Sequence, residues 1–354
     1  MKPEMPERGK VSRDVFDKII LPHLGKKRKQ VLVGPQHGVD VGVVDIGANQ
    51  VMALTSDPVF IVPQYGWDRA AWFAVHILAS DAATSGLAPT YMAVDLNLPL
   101  SMTSNEFAKM WLTFSQEARR LGISIVAGHT GRYAGCGYPM VGGATVMSIG
   151  SKDSYVTPRG AMVGDRIIVT KGAAIEATGL FAVTFPKKIA GAYGEAFAEK
   201  AQDIFYQMSV VEDCLTAVKV GVREGGVTSM HDATECGVWG GLFEVAEASG
   251  IGMEIDRDKI IVQDAVDKVC KLFKIDPYSS ISEGTLIITC RPHKADVVVE
   301  RLGTAGIPAT IVGETVPAEG GVTYSVGGKK HELAHPQFDP FWAAFDNELA
   351  AAGG

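Results

Sequence analysis

Apolar residues along the chain follow two rhythms, and the switching between them sets the expected architecture. Val31 to Val33, Val41 to Ile46 and Val51 to Thr55 are short β-branched or apolar runs parted by Gly, Asp and Asn, which predicts strands joined by turns. Ala70 to Ser85 predicts a helix. Thr103 followed by Glu106 makes a capping box, in which each side chain covers a backbone N–H of the other. Phe107, Met110, Trp111, Phe114, Ala118 and Leu121 then recur at helical spacing until Gly122 ends the run. Ile123 to Ala127 and Met140 to Ile149 predict two further strands, which complete a mixed αβ unit.

Pro158 to Asp165 is rich in turn formers and is followed by a new strand, Arg166 to Thr170, so the domain boundary is expected there. The second unit is expected to hold a helical region near Asp203 to Val220, a helix from Gly237 to Ser249 and a strand from Thr285 to Cys290. A helix near Lys294 to Leu302 and a strand from Ala309 to Val312 follow. No repeat is evident in either half. Phe338, Phe341, Trp342, Phe345 and Leu349 have the spacing of an amphipathic helix that docks on its own protein. The expected division is an extension over 1–30, a first domain over 31–157, a second over 158–318 and a tail over 319–354.

Composition supports this picture. A chain of 354 residues exceeds what one core sustains, since single cores stop growing near roughly 250 residues. Hydrophobic residues at 47% and charged residues at 21% suffice for two cores. The formal charge of −7 argues against a general affinity for nucleic acid or an anionic membrane, and the basic run Lys26 to Lys29 is expected to be a solvated linker. Five cysteines without a Cys-x-x-Cys pair suggest neither a zinc ribbon nor a disulfide framework. Met1-Lys2-Pro3-Glu4 onward lacks an apolar signal core and no apolar run approaches about 20 residues. A cytoplasmic protein is the expectation.

Candidate chemistry comes from acidic residues. The common phosphate-binding and dinucleotide-binding glycine motifs are absent. His331-Glu332-Leu333-Ala334-His335 matches a zinc-protease pattern. Gly327-Gly328 and Pro336 leave room for no more than one helical turn, so a surface loop is expected there. Asp40 in a Gly-rich turn, Asp57 at a strand end and Asp81 at a helix end are more informative. Carboxylates gathered in this way suit Mg²⁺, which takes oxygen ligands and bridges phosphates, whereas each alone is more often a turn former or a cap.

Taken together these segments resemble the AIR synthase-related superfamily over residues 30 to 316. Gly38-Val39-Asp40-Val41-Gly42-Val43-Val44 is similar to its Gly-Asp-Asp-Ala-Ala-Val stretch, and Leu54-Thr55-Ser56-Asp57 to its Thr-Thr-Asp strand end. The run Ala79-Ser80-Asp81-Ala82-Ala83-Thr84-Ser85-Gly86-Leu87-Ala88-Pro89 resembles its Val-Asn-Asp-Leu-Ala helix end. His231-Asp232-Ala233-Thr234-Glu235-Cys236-Gly237 resembles Arg-Asp-Pro-Thr-Arg-Gly-Gly, the signature of the carbamoyl dehydratases that mature nickel-iron hydrogenases, and Glu244-Val245-Ala246-Glu247-Ala248-Ser249 and Ser282-Glu283-Gly284-Thr285-Leu286 continue the pattern. The resemblance implies a two-domain AIR synthase-like fold: an N-terminal sheet that forms a barrel across a homodimer, and an αβ sandwich as the C-terminal domain. It also implies ATP with Mg²⁺, or Mn²⁺ in its place, with Asp40, Asp57 and Asp81 as metal and phosphate ligands.

The departures are equally specific. Where the family has Ala-Gly-Asp-Thr-Lys, this chain has Ala127-Gly128-His129-Thr130-Gly131-Arg132, so an acidic ligand becomes His129. Imidazole suits softer metals than Mg²⁺, which leaves His129 as a ligand, a phosphate contact or a bystander. The dehydratases end in a Cys that carries the carbamoyl group, whereas this chain ends Ala350-Ala351-Ala352-Gly353-Gly354 and is not expected to modify itself in that way. Cys136 is the thiol nearest the expected site.

The resemblance therefore implies an ATP-dependent enzyme that phosphorylates a carbonyl- or amide-type oxygen of a small or thiol-bound substrate. His129, Arg132, Asp232 and Glu283 are the catalytic candidates. Gly128, Thr130, Lys171 and Thr234 are added as nucleotide contacts beside Asp40, Asp57 and Asp81. A small-molecule kinase like thiamine monophosphate kinase, or a non-catalytic nucleotide-binding subunit, are the alternatives.

Overall fold

The computed structural model describes residue 5, residues 11–336 and residues 338–352. The start expected at Met1 to Glu4 and the terminal Gly353-Gly354 lie outside the described residues. After short helical turns, the first of them α1 (Arg13–Val15), six strands make the first sheet: β1 (Val31–Val33), β2 (Gly42–Gly47), β3 (Gln50–Phe60), β4 (Pro89–Leu98), β5 (Ser124–Arg132) and β6 (Met140–Ser151). Their order is β1-β2-β3-β6-β4-β5, antiparallel except for the parallel pair β4 and β5. Helices α2 (Trp67–Ala83) and α3 (Ser104–Arg120) lie on one face. The capping box forms as expected, with Glu106 N donating to Thr103 Oγ1 at 3.3 Å and Thr103 N to Glu106 Oε2 at 2.8 Å.

Seven strands build the second sheet: β7 (Arg166–Thr170), β8 (Val227–Asp232), β9 (Gly252–Asp256), β10 (Leu286–Cys290), β11 (Ala309–Val316), β12 (Val322–Val326) and β13 (Lys329–Glu332). They run β13-β12-β9-β11-β7-β10-β8, and only β12 with β9 is parallel. Around them stand α4 (Ile175–Thr184), α5 (Pro186–Tyr193), α6 (Glu195–Ala201), α7 (Val211–Ala217), α8 (Gly237–Ser249), α9 (Asp264–Phe273), α10 (Pro292–Thr304) and α11 (Pro340–Ala352).

Two expectations change. Within 331–335, His331 and Glu332 are strand, because Lys329–Glu332 pairs with Thr323–Val326 as an edge hairpin and His331 stacks on Tyr324, while Leu333 to His335 are irregular as expected. The stretch set apart as a tail from 319 supplies β12 and β13 to the second sheet, and α11 then docks through Phe341, which is 1% exposed against Phe181 and Phe345. Among the described residues no helix is long and apolar enough to cross a membrane.

One core ties the halves together. Val59, Leu78 and Phe114 from the first half share a buried cluster with Ile168, Val210, Leu286 and Ile288 from the second. Burying side chains of this size contributes roughly 1.5–3 kcal/mol each, so the shared cluster packs the two halves against each other.

Candidate functional site

The site begins on the helix-facing side of β3. Val51, Ala53, Thr55 and Val59 alternate inward, so Asp57 shares their face and points toward α2, whose last turn carries Asp81. Thr55 Oγ1 lies 3.2 Å from Asp57 Oδ2 and 3.3 Å from Asp81 Oδ2. A hydroxyl has one proton to donate, so it satisfies only one of two ionised carboxylates. Burial pushes the Asp81 carboxyl well above its ordinary range, and the neighbouring Asp232, Asp57 and Asp40 push it further.

The loop between β1 and β2 delivers Asp40. Gly38 makes its turn at φ +71° against α8, where an added Cβ would stand 3.4 Å from the Glu244 Cβ. Asp40 Oδ2 is then 3.3 Å from His231 Nδ1 on β8, and His231 Nε2 is 2.8 Å from Glu244 Oε2 on α8. Burial alone would push the imidazole down, but the two carboxylates outweigh it and raise its pKa to about 10. His231 is therefore a buried cation clamped between Asp40 and Glu244. Asp40, His231 and Asp232 also place ligand-capable atoms within 4.8 Å of one another.

Glu283 closes the far side. It sits in the turn before β10, 3% exposed, with Oε1 lacking a hydrogen-bond partner among the described residues. Burial, then Asp232 and Glu176, hold its carboxyl well above the usual range, against a lowering contact from Ser80 of α2. Its N–H donates to Glu176 Oε2 at 3.1 Å.

The structure thus gathers Asp40, Asp57, Asp81, Asp232 and Glu283 into one cleft between the sheets. Thr234 borders it through its carbonyl, which accepts from Ser282 N at 3.2 Å. It does not gather the segment Gly128 to Arg132. These residues lie on edge strand β5, three strands from β3, on the order of 14 Å at the usual strand spacing. His129 pairs in register with Asp95, on the face away from α2 and α3, and its Nε2 meets Tyr133 Oη at 2.7 Å. Arg132 donates to the Leu100 carbonyl, and Gly128 is glycine because a Cβ would collide with the Val94 carbonyl at 2.2 Å. Lys171 is likewise turned away, since its ammonium is buried between Asp213 Oδ2 at 2.9 Å and the Ser209 carbonyl at 2.6 Å. Cys136 lies in the loop after β5, partly buried and a free thiol. His231, Glu244 and Glu176 are absent from the expected site. His231 stands inside the quoted motif, but nothing in its spacing shows that a residue 13 positions on, Glu244, returns to it.

Two mixed αβ halves thus enclose a carboxylate-rich cleft, an architecture that defines the class of this protein. Residues 38–165 match the model of the AIR synthase related protein N-terminal domain, and residues 162–325 match that of its C-terminal domain. The chain belongs to the AIR synthase-related proteins. It is 26% identical over 267 residues to the carbamoyl dehydratase HypE of Escherichia coli K12, covering 74% of this chain and 75% of that protein. The solved E. coli HypE structure is similar with a TM-score of 0.69 at 23% identity, over 82% of this chain and 87% of that one. A HypE structure in complex with ATP is similar with a TM-score of 0.63 at 19% identity, over 95% and 97% of the two chains.

Proposed function

We propose that the protein is an ATP-dependent enzyme that phosphorylates a carbonyl- or amide-type oxygen, on a small or thiol-bound acceptor, in the manner of a carbamoyl dehydratase. The observation that carries this reading is the convergence of Asp40, Asp57 and Asp81 from one half with Asp232 and Glu283 from the other. The relatives named carbamoyl dehydratase, and the ATP held by a similar HypE, support this choice of nucleotide and acceptor class.

The donor set fits a hard divalent cation. Asp57 and Asp81 share the Thr55 hydroxyl, Asp40 stands near them against His231, and the upward push on Asp81 is what an added positive charge relieves. Mg²⁺ bound by Asp40, Asp57 and Asp81 would neutralise phosphate charge. The chain's own groups do the rest. His231 holds Asp40 in place from the opposite half. Glu283, strongly basic when ionised and without a partner on Oε1 among the described residues, takes a proton from the acceptor as its oxygen attacks the γ-phosphorus and ADP leaves.

We also infer a homodimer through the first sheet. Its helix-free face exposes Ile46, Tyr91, Val126 and Ile149, and β5 is an unpaired edge, a combination that soluble sheets cover.

Thermal melting tests the reading. ATP with Mg²⁺ should raise the melting temperature, since a ligand bound only to the folded state adds about 2.7 kcal/mol at 100-fold excess over its dissociation constant. ADP release should then depend on an acceptor, probed with a peptide whose cysteine carries an S-carbamoyl group. No thermal shift at millimolar ATP and Mg²⁺ would remove the nucleotide from the proposal. Sedimentation showing a monomer at micromolar concentration would remove the dimer.

A further inference from the structure

The turn that carries Glu283 is held on two sides. On one, Ser282 N donates to the Thr234 carbonyl at 3.2 Å and Ala233 N to the Thr285 carbonyl at 2.8 Å, which ties the turn to the strand end bearing Asp232. On the other stands the first turn of α4. Ile175 N donates to Ser282 Oγ at 3.1 Å, Ala177 N to the Ile281 carbonyl at 3.1 Å, and Glu283 N to Glu176 Oε2 at 3.1 Å. Ser282 Oγ in turn meets Thr285 Oγ1 at 2.7 Å, whose hydroxyl donates to the Gly172 carbonyl at 2.5 Å.

Helix α4 has no side-chain cap, because its N-cap is Ala174 in the left-handed region at φ 51°. The glutamate turn serves as that cap. Most of these bonds are made by backbone or by short hydroxyls, which many sequences could supply. The bond from Glu283 N is different: its acceptor is the carboxyl oxygen of a side chain buried beside Asp232 and Glu283. An acid buried there, at a cost in desolvation, needs a function that an alanine could not fill.

We propose that Glu176 is a positioning residue, which fixes the backbone of Glu283 and thereby aims the Glu283 carboxylate at the acceptor end of the cleft. On the C-terminal side of Glu283 the turn carries no side chain to hold it, because Gly284, at φ +98°, packs where the Gln207 carbonyl would stand 2.2 Å from a Cβ. The Glu176 bond is the side-chain restraint on the N–H of the very residue that must be aimed. This inference rests on the functional reading above for the role of Glu283, but the geometric part stands apart from it.

The test compares Glu176→Ala with Glu176→Gln in the full chain. Glutamine keeps an oxygen acceptor at the same reach, whereas alanine removes it. Amide hydrogen exchange over residues 281–285, measured without nucleotide, should speed up in Glu176→Ala and stay near wild type in Glu176→Gln. ATP turnover should follow the same pattern: kcat falls on the order of 100-fold in the alanine variant, the scale expected for misaiming a reacting group, with KM for ATP little changed, and glutamine restores most of it. Unchanged exchange in Glu176→Ala overturns the positioning role. So does an equal kcat loss in both variants, which would assign Glu176 a chemical role through its charge. If wild type itself neither binds nor hydrolyses ATP, the functional reading fails while the exchange result still decides the geometry.

Discussion

His231 Nδ1 stands 3.3 Å from Asp40 Oδ2, and the two residues belong to opposite halves of the chain. With Glu244 at 2.8 Å on its other nitrogen, the imidazole is a buried positive link between the glycine loop of the first sheet and the α8 side of the second. Removing one partner of a buried pair leaves charge uncompensated and costs on the order of 3 kcal/mol. His231→Gln should therefore lower unfolding stability by about that amount in urea titration, while His231→Arg, which keeps the charge, should lose much less. A loss within about 0.5 kcal/mol for His231→Gln, the range of ordinary surface substitutions, would show that the link contributes nothing.

Glu176 makes stability depend on pH. Its carboxyl is pushed up from 4.5 to about 8 by burial above all, partly offset by the Glu283 N–H it accepts, with Asp339, Asp232 and Glu235 adding to the rise. The folded pKa lies above the unfolded one, so the folded state binds the extra proton and this contribution is complete below pH 4.5. It is lost as pH rises through about 8. Glu176→Gln cannot lose that proton. Its melting temperature relative to wild type should thus climb steadily from pH 5 to pH 8.5. A difference that is flat across this range, or that shrinks, would contradict the raised pKa.

Much of this site could be read from residue order because its carboxylates sit in local patterns. Asp57 at a strand end, Asp81 at a helix end and Asp232 before a glycine turn are each positioned by the element that carries them. His231, Glu176 and Glu244 depend instead on how the second sheet folds back, which no local spacing encodes. The same distinction applies to the fold. The α3 helix was legible from its cap and its period, and β4 could have been, since Met92, Val94, Leu96 and Leu98 alternate cleanly inward. Helix α4 was not. It is apolar all round, and Gly179 sits within it because the Phe205 Cα would stand 2.9 Å from a Cβ there, a tertiary contact that local propensity opposes. The Gly128 to Arg132 segment is the reverse case, where the family pattern points to a ligand and the sheet puts the residue on an edge strand.

That placement gives a prediction for His129. Its ring is exposed, bonded to Tyr133 and on the opposite side of the sheet from Asp57 and Asp81. His129→Ala should leave the melting shift produced by ATP and Mg²⁺ unchanged, whereas Asp57→Asn should abolish it. If His129→Ala loses the shift while Asp57→Asn keeps it, the carboxylate cluster is not where nucleotide binds.

The final prediction concerns α11. Asp339, just ahead of this helix, accepts the N–H of Cys236 at 2.8 Å and that of Phe341 at 2.9 Å, so one carboxylate joins the start of α8 to the start of α11. Phe341 anchors the joint by packing its ring against Phe181 at 5.2 Å and Phe345 at 5.0 Å. Truncating a buried phenylalanine typically costs about 3–5 kcal/mol through lost burial and the cavity left behind. Phe341→Ala should fall in that range by urea titration and should speed amide exchange at Cys236, because Asp339 loses its support. Leu349, on the same helix but 41% exposed, provides the control: Leu349→Ala should change stability by no more than about 0.5 kcal/mol. Equal losses at the two positions would mean that α11 is held by its general apolar character and not by the Phe341 anchor. Fast exchange at Cys236 confined to Phe341→Ala is the outcome that ties the helix to the cleft.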